Sequence, residues 1–275
     1  MQKKIAVIND LSGYGRCSLT VAIPVLSAMG HQCCPIPTAI LSNHTEFPVY
    51  FFDDYTEKMT TYTDKWKELG LSFDAIATGF LGSEAQIGIV MEIVQKLKAE
   101  KTFVVVDPVM GDHGHAYETY TPEMCEQMKE LVCMADVVLP NVTECCILTD
   151  TPYKEENWTR KELLNMAMML RLMGAKSVVI TGVRERSCYT NVVLEQGQYD
   201  AKFIRTRSSG GERPGTGDVF SSVVAGALLK GKSLPEAVSQ AAGFVKECIK
   251  VSDEEQIPHA NGVCFEKILG KLIKK

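Results

Sequence analysis

Short apolar runs alternate with amphipathic stretches along most of this 275-residue chain. Short apolar runs between turn residues are typical of buried strands, and apolar positions at helical spacing predict helices. Strands are predicted at 5–8, 32–37, 73–79, 103–106, 136–139 and 177–180. Helices are predicted at 17–29, 54–69, 83–98, 121–133, 159–173, 217–230, 234–250 and 263–273. Residues 188–206 break the alternation and predict antiparallel strands.

The repeated order of strand and helix favours a parallel sheet that is covered by helices on both faces. The run Phe103–Val106 is apolar at every position, as expected for a central strand of such a sheet. The length allows one large domain or two small ones, and it favours one. No linker, internal repeat or low-complexity segment divides the chain. We therefore predict a single domain over residues 1–275, with three layers (α/β/α) and a mostly parallel central sheet.

A glycine-rich stretch, Gly210–Asp218, runs directly into the apolar helix predicted from residue 217. The first turn of a helix carries unpaired backbone N–H groups and the positive end of the helix dipole, and glycines let an anion approach them. This junction predicts a phosphate site. The carboxylate of Asp218 would repel the anion, which makes sense if it accepts a proton beside the phosphate. The alternative is that Asp218 only favours the helix dipole and the glycines only form a turn.

Polar side chains follow several of the predicted strands, and the carboxyl ends of parallel strands meet at one edge of the sheet. The residues expected at this edge are Asp10, Ser42, Asn43, His44, Thr45, Phe80, Asp107, Asp112, Asn141, Glu144 and Thr181. Carboxylates from separate strands, with an amide oxygen nearby, suit Mg²⁺, which takes a few oxygen ligands together with waters and the phosphates of a substrate. Taken singly, these residues could equally form turns or begin a helix. Their shared position beside the predicted anion site favours a functional centre.

The composition narrows the class of protein. With 45% hydrophobic and 23% charged residues the chain is typical of soluble globular proteins. A net charge of −5 argues against a nucleic-acid partner. No apolar run is long enough for a membrane span or for the core of a signal peptide, so we expect a cytoplasmic protein. The 10 cysteines never form a Cys-x-x-Cys motif, which predicts buried free thiols in a reducing compartment.

Together these motifs resemble those of the pyridoxal kinases of the ribokinase-like superfamily. The resemblance runs along nearly the whole chain, through Gly-Tyr-Gly (13–15), Ser-Asn-His-Thr (42–45), Asp-Pro-Val-Met-Gly-Asp (107–112), Pro-Asn-Val-Thr-Glu (140–144) and Gly-Thr-Gly-Asp (215–218). The last motif is general to the superfamily, whereas the second and third are more specific. The resemblance implies a homodimer that uses ATP to phosphorylate the 5′-hydroxymethyl group of a vitamin B6 vitamer (pyridoxal, pyridoxine or pyridoxamine) in the salvage of pyridoxal 5′-phosphate.

The resemblance also implies a role for each candidate residue. Asp218 would be the base on the substrate hydroxyl, and the backbone amides of Gly215, Thr216 and Gly217 would form an anion hole for the transferred phosphoryl group of ATP. The metal ligands would be Asp107, Asp112 and Glu144, which would hold Mg²⁺ partly through water, with K⁺ near the phosphates. Asn141 and Thr181 would face the nucleotide phosphates. The residues around the pyridine ring would be Asp10, Asn43, His44, Thr45 and Phe80.

Some residues depart from the family pattern. Asp10 stands where animal relatives carry Ser, Phe80 where they carry Tyr, and Leu139 replaces a Thr that helps to hold the metal. These changes leave the vitamer preference and the dependence on monovalent ions open. Arg213, just before the anion hole, could contact a phosphate or point to solvent.

Two alternatives remain at the level of the sequence. Hydroxymethylpyrimidine kinases of thiamin synthesis share the fold and the reaction, but they usually carry Cys after Gly-Thr-Gly, where this chain has Asp218, and they lack Ser-Asn-His-Thr. A non-catalytic protein of the same fold that binds a vitamer or a nucleotide is the second alternative. The intact Asp218 and the carboxylates on the metal side argue against it.

Overall fold

A computed structural model describes residues 2–273 of the chain. Within this range the strands are β1 (Lys4–Tyr14), β2 (Gln32–Asn43), β3 (Phe52–Asp54), β4 (Ala75–Thr78), β5 (Phe103–Val106), β6 (Gly111–Asp112), β7 (His115–Ala116), β8 (Val137–Val138), β9 (Ser177–Glu185), β10 (Cys188–Leu194) and β11 (Lys202–Arg207). The helices are α1 (Ser18–Ala28), α2 (Thr56–Glu68), α3 (Glu84–Leu97), α4 (Pro122–Cys133), α5 (Val142–Leu148), α6 (Arg160–Met173), α7 (Thr216–Leu229), α8 (Leu234–Glu254) and α9 (Gly270–Ile273).

One sheet runs through the described chain in the order β11-β10-β9-β8-β5-β4-β1-β2-β3. The inner strands, from β9 to β2, are all parallel. Antiparallel strands close both edges, with β3 on one side and β10 and β11 on the other. The predicted mostly parallel sheet and the antiparallel strands within 188–206 are therefore confirmed.

Residues along each inner strand alternate between two hydrophobic cores. Ile5 and Val7 pack under helices α1, α7, α8 and α9, whereas Ala6 and Ile8 pack under α2 to α6. Because both faces of the sheet are buried, the inner strands are apolar at almost every position. The predicted three-layer architecture is confirmed. No helix among residues 2–273 is long and apolar enough to cross a membrane.

Strands β1 and β2 are both longer than predicted, because they pair with each other beyond the body of the sheet. After a bulge that begins at Asn9, the pairing resumes and continues to Tyr14, which lies opposite Asn43. The edge strand β3 then occupies the other side of β2. The predicted ends of these strands, at residues 8 and 37, are therefore wrong, since the strands continue to Tyr14 and Asn43.

The helix predicted at 263–273 is wrong. Residues 263–265 are buried but lie outside any helix, and the backbone N–H of Cys264 donates to the hydroxyl of Ser252 at 2.7 Å. Single turns at His259–Asn261 and Glu266–Ile268, followed by α9, replace the helix.

The remaining predicted helices begin and end within two residues of their predicted bounds, except that α8 continues to Glu254. The short elements β3, β6, β7 and α5 were not predicted. A strand of two or three residues is too short to show a period of hydrophobic positions, and so is a helix of seven residues such as α5.

All 10 cysteines are free, as predicted, but not all are buried. The buried thiols are those of Cys17, Cys145, Cys146, Cys248 and Cys264. Cys133 is exposed, and the other four are half-buried. Apolar neighbours in sequence therefore predicted burial correctly for half of the thiols.

Candidate active site

A cavity of about 570 Å³ opens at the carboxyl edge of the sheet, beside the N-terminus of α7. It lies next to the point where the chain order of the strands reverses, since β1 has β2 on one side and β4 on the other. Open α/β sheets bind their ligands at such a point. The predicted site residues that line this cavity are Phe80, Asp107, Asp112, Asn141, Glu144, Thr181, Gly215, Thr216, Gly217 and Asp218.

Four predicted substrate residues do not line the cavity, namely Asp10, Asn43, His44 and Thr45. Asp10 is buried with only 6% of its surface exposed, and its carboxylate accepts hydrogen bonds from the hydroxyls of Ser12 and Ser18. Burial raises the pKa of Asp10 above its ordinary value of 3.8. Its carboxylate therefore anchors the connection between β1 and α1.

The segment with Asn43, His44 and Thr45 lies at the margin of the cavity. The Asn43 amide donates to the backbone oxygen of Val49 at 2.9 Å, and Nε2 of His44 lies 2.7 Å from the backbone oxygen of Ala260. Thr45 is exposed. In the described conformation, hydrogen bonds tie this segment to its own turn and to the turn near residue 260.

The N-terminus of α7 has the geometry that the glycines predicted. Gly215 precedes the helix with φ at +76°, and a Cβ atom there would overlap the backbone oxygen of Arg16. Gly217 has open space where its Cβ would lie, and it lines the cavity. The hydroxyl of Thr216 donates to the backbone oxygen of Arg213 at 3.0 Å and fixes the turn. The first backbone N–H groups of α7, which have no partner within the helix, are thus held beside open space.

Asp218 is the third residue of α7, and its carboxylate faces both the cavity and the β1–α1 connection. The side-chain amide of Asn9 donates to Oδ1 of Asp218 at 3.1 Å. The backbone N–H of Ser18 is near enough to the same carboxylate to lower its pKa. Ser18 adopts a φ of +53°, which is strained for a residue other than glycine. Burial, with a smaller effect of the charge of Asp10, raises the pKa of Asp218 from 3.8 to about 6.

Two further carboxylates lie deeper in the cavity. Burial and the charge of Asp218 raise the pKa of Asp107 well above its ordinary value. Glu144 is 3% exposed, and its carboxylate accepts the backbone N–H groups of Asn141 at 2.7 Å and Met110 at 3.1 Å. Burial and the charge of Asp107 raise the pKa of Glu144. The site therefore concentrates negative charge that a cation would neutralise.

The predicted metal ligands do not form a ready-made cage. Among residues 2–273, no three His, Cys, Asp or Glu side chains are grouped so that they could hold a metal ion. Asp112 is exposed on the β6–β7 hairpin, and Glu144 already accepts two backbone N–H groups. Asp107 keeps a carboxylate at the cavity. This donor set fits Mg²⁺ that arrives with phosphate oxygens and keeps its waters, which is the usual way proteins bind it.

Asn141 and Thr181 line the cavity, but their polar groups already have partners. Asn141 caps α5, because its side-chain oxygen accepts the N–H of Glu144 at 2.9 Å, and its amide donates to Gly111 at 2.8 Å. The hydroxyl of Thr181 donates to the backbone oxygen of Pro140 at 3.4 Å. Asn141 therefore holds the β6–β7 hairpin against α5.

Comparison with known proteins identifies the family of the chain. A family model of phosphomethylpyrimidine kinases matches residues 22–264. The chain belongs to the phosphomethylpyrimidine kinase family.

Relatives of this kinase carry names from two vitamin pathways. A candidate phosphomethylpyrimidine kinase of Bacteroides thetaiotaomicron, in a crystal form with pyridoxal, is 40% identical, with a TM-score of 0.94 over 100% of this chain and 96% of that one. The pyridoxine/pyridoxal/pyridoxamine kinase of Bordetella avium is 26% identical over 89% of this chain and 84% of its own. The hydroxymethylpyrimidine/phosphomethylpyrimidine kinase of Aquifex aeolicus is 32% identical over 62% of this chain and 66% of its own.

The outer part of the kinase cavity was not predicted from the sequence. Its wall carries the apolar side chains of Ala242, Val245 and Ile249 from one face of α8, and it also includes Lys246 and Arg207. A stripe of small apolar residues on a helix is typical of core packing, so nothing in the sequence marked it as the wall of a cavity.

Arg213 is among the residues that line the cavity, but its guanidinium already has protein partners. Its guanidinium donates to the backbone oxygen of Ile257 and to Asp253, both at 2.9 Å. It therefore attaches the glycine-rich loop to the end of α8.

Proposed function

We propose that this chain transfers the γ-phosphoryl group of ATP to the 5′-hydroxymethyl group of a vitamin B6 vitamer, with Asp218 as the general base. One observation carries the proposal: a carboxylate whose pKa is raised to about 6 stands at a helix N-terminus inside the cavity. Phosphoryl transfer asks a protein mainly for in-line positioning and for neutralisation of charge. Backbone N–H groups beside a base that is ionised at neutral pH meet both needs.

The choice of a vitamer as substrate is supported by the relatives. The Bacteroides protein, which spans the whole chain at 40% identity, has a crystal form with pyridoxal. In this chain Phe80 lines the same cavity as Asp218, and an aromatic side chain there suits a ring-shaped substrate. The segment of Asn43, His44 and Thr45 stays a proposed part of the ring pocket, because its neighbour Glu46 and the nearby His259 do line the cavity.

The nucleotide would extend away from Asp218 towards α8. The apolar wall of Ala242, Val245 and Ile249 suits a purine ring, and Lys246 adds positive charge at its side. We propose that Asp107, directly or through water, and Glu144 through water hold Mg²⁺ against the phosphates, with Asp112 at the outer margin. When bound, Mg²⁺ would neutralise charge on the transferring group. We also propose that K⁺ binds near the phosphates, and exchanging K⁺ for Na⁺ in the assay below tests this.

The test is an assay of ADP release from ATP with five acceptors: pyridoxal, pyridoxine, pyridoxamine, hydroxymethylpyrimidine and ribose. Each is measured with Mg²⁺ and with a chelator. We expect release with at least one B6 vitamer, dependent on Mg²⁺, and a product phosphorylated at the 5′ oxygen. Release of ADP with hydroxymethylpyrimidine alone would refute the B6 assignment. No release of ADP with any acceptor would favour a non-catalytic binding protein.

Hydroxymethylpyrimidine is the second candidate substrate, because the matching family model and the Aquifex relative carry that name. Its kinases usually have Cys where this chain has Asp218, so the buried base favours the B6 vitamers. A chain that uses both substrates would release ADP with a B6 vitamer and also with hydroxymethylpyrimidine.

We further propose a homodimer, a single kinase domain over residues 1–275 and a cytoplasmic location. An apolar edge patch supports the dimer. Its exposed members come from β1, β2, β3 and the residues just before β3, and they are Tyr14, Ile40, Val49, Tyr50, Phe51 and Phe52. The continuous sheet from β3 to β11 supports the single domain, and the 10 free cysteines suit a reducing compartment.

A further inference from the structure

Asn9 lies behind Asp218, at the bulge where β1 leaves the body of the sheet. It is 5% exposed, and its side-chain amide donates to Oδ1 of Asp218 at 3.1 Å. Its own oxygen accepts two backbone N–H groups, from Asp10 at 3.0 Å and from Phe80 at 2.9 Å. Every polar group of this buried side chain thus has a partner, and one partner is the base.

The two backbone donors fix the direction of the Asn9 amide. If the amide were reversed, its NH₂ group would face the N–H groups of Asp10 and Phe80, and its oxygen would face the carboxylate of Asp218. Both contacts would be repulsive, because an amide oxygen only accepts and an NH₂ group only donates. The backbone of two strands therefore forces Asn9 to present a donor to Asp218.

The fold also makes room for this side chain. A Cβ atom at Gly79, which follows β4, would overlap the amide group of Asn9. The backbone N–H of Gly79 donates to Ile8 at 2.8 Å, so the two strand ends cannot move apart without losing a hydrogen bond. Gly79 therefore leaves the space that the Asn9 amide occupies.

Few of the groups around Asp218 stabilise its negative charge. The titratable neighbours whose charge is coupled to that of Asp218 are Asp10 on β1, Cys17 before α1, Asp107 after β5 and Tyr117 after β7. Each of these is neutral or negative. The amide of Asn9 and the backbone N–H of Ser18 are the donors that lower the pKa of Asp218.

We propose that Asn9 is a positioning residue for the catalytic base: its locked amide keeps the Asp218 carboxylate ionised and aimed at the acceptor hydroxyl. The inference rests on the proposed kinase function and assigns a role to a residue outside the walls of the main cavity. The other group that lowers the pKa of the base is the Ser18 backbone N–H, which substitution of a side chain cannot remove.

The decisive variant is Asn9→Asp, assayed by ADP release with pyridoxal from pH 5.5 to pH 9.5 beside the wild type. The new carboxylate still accepts the two backbone N–H groups, but it turns a second negative oxygen towards Asp218. We expect the acid limb of kcat/KM to move up by at least about one pH unit from a pKa of about 6, so that activity falls at least about threefold at pH 6.5 and at least about eightfold at pH 5.5. Most of the loss should be recovered at pH 9.

Gln86→Glu is the matched control. Gln86 is also a fully buried amide whose oxygen accepts a backbone N–H, that of Gly82 at 2.8 Å, and whose NH₂ donates to Thr38 at 2.8 Å. Its partners do not include Asp218. This change should lower the thermal stability and leave the acid limb of the profile in place.

The outcomes separate the two proposals. Wild-type turnover combined with an Asn9→Asp profile that falls by the same factor at every pH would overturn the positioning role and leave the kinase intact. An equal shift of the limb in Gln86→Glu would also overturn it. If Asn9→Asp does not fold, Asn9→Ala replaces it, and an acid limb that matches the wild type would overturn the role. A wild type without pyridoxal-dependent turnover would refute the proposed function, and the inference would fall with it.

Discussion

Replacing the proposed base should remove activity and add stability. The pKa of Asp218 is raised from 3.8 to about 6, mainly by burial. At 1.36 kcal/mol per pKa unit, its ionised form destabilises the fold by at most about 3 kcal/mol. Water in the open cavity screens part of this unfavourable free energy. We therefore expect Asp218→Asn to raise the free energy of unfolding by about 1–2 kcal/mol at pH 8. A raised pKa in the folded state means that the gain vanishes below about pH 4, grows between about pH 4 and pH 6, and is fully present above about pH 6.

The same variant should lower turnover by about 10²–10⁴-fold, which is the usual contribution of a general base. Urea unfolding at pH 4 and pH 8 measures the stability, ADP release measures turnover, and calorimetry with pyridoxal measures binding, which should persist. Asp200→Asn is the control, because Asp200 is exposed in the turn before β11, at the opposite edge of the sheet. Turnover within about threefold of the wild type would remove Asp218 from the role of base, and a loss of stability at pH 8 would refute the account of its burial.

Three further predictions concern the surroundings of the base. Gly215→Ala should lower both the melting temperature and ADP release, because the new methyl group overlaps the neighbouring backbone, whereas Gly217→Ala should fold normally; equal melting temperatures would contradict this. Phe51→Glu should convert a dimer into monomers in analytical ultracentrifugation, and an unchanged dimer would exclude the apolar edge patch from the interface. A high-resolution crystal structure should show one water in the polar hole of about 20 Å³ behind Asp218, where the hydroxyl of Thr78 is buried without a partner among the described residues; an empty hole would refute it.

The layers of this fold could be predicted from the sequence because each layer has its own period. Runs such as Phe103–Val106 are buried on both faces, and the helices between them carry one apolar stripe. What could not be predicted depends on pairing between distant residues. β1 and β2 continue to Tyr14 and Asn43 only because each supplies hydrogen bonds to the other. At the start of segment 263–273 the backbone N–H of Cys264 donates to the side chain of Ser252, a contact that no hydrophobic period reveals.

The candidate site shows the same division. Residues that follow parallel strands, such as Asp107 and Asn141, lie at one edge because topology alone brings them there. The direction in which a side chain points depends on its partners, and residue type does not reveal it. Glu144 has the chemistry of a metal ligand, yet its oxygens accept two backbone N–H groups that close the start of α5. The wall on α8 was missed for the converse reason, since its residues have no distinctive chemistry.

Of the predicted site residues, Asp10 differs most between its predicted role and its observed contacts. A carboxylate that replaces the Ser of animal relatives suggested a contact to the pyridine ring, but its oxygens accept the hydroxyls of Ser12 and Ser18. The bond to Ser18 helps to hold that residue at a φ of +53°, a conformation that costs about 1–3 kcal/mol and that turns its N–H towards Asp218. The charge of Asp10 raises the pKa of the base, while the N–H that it helps to position lowers it. A substitution of Asp10 should therefore change the pH dependence of the reaction more than it changes the choice of vitamer.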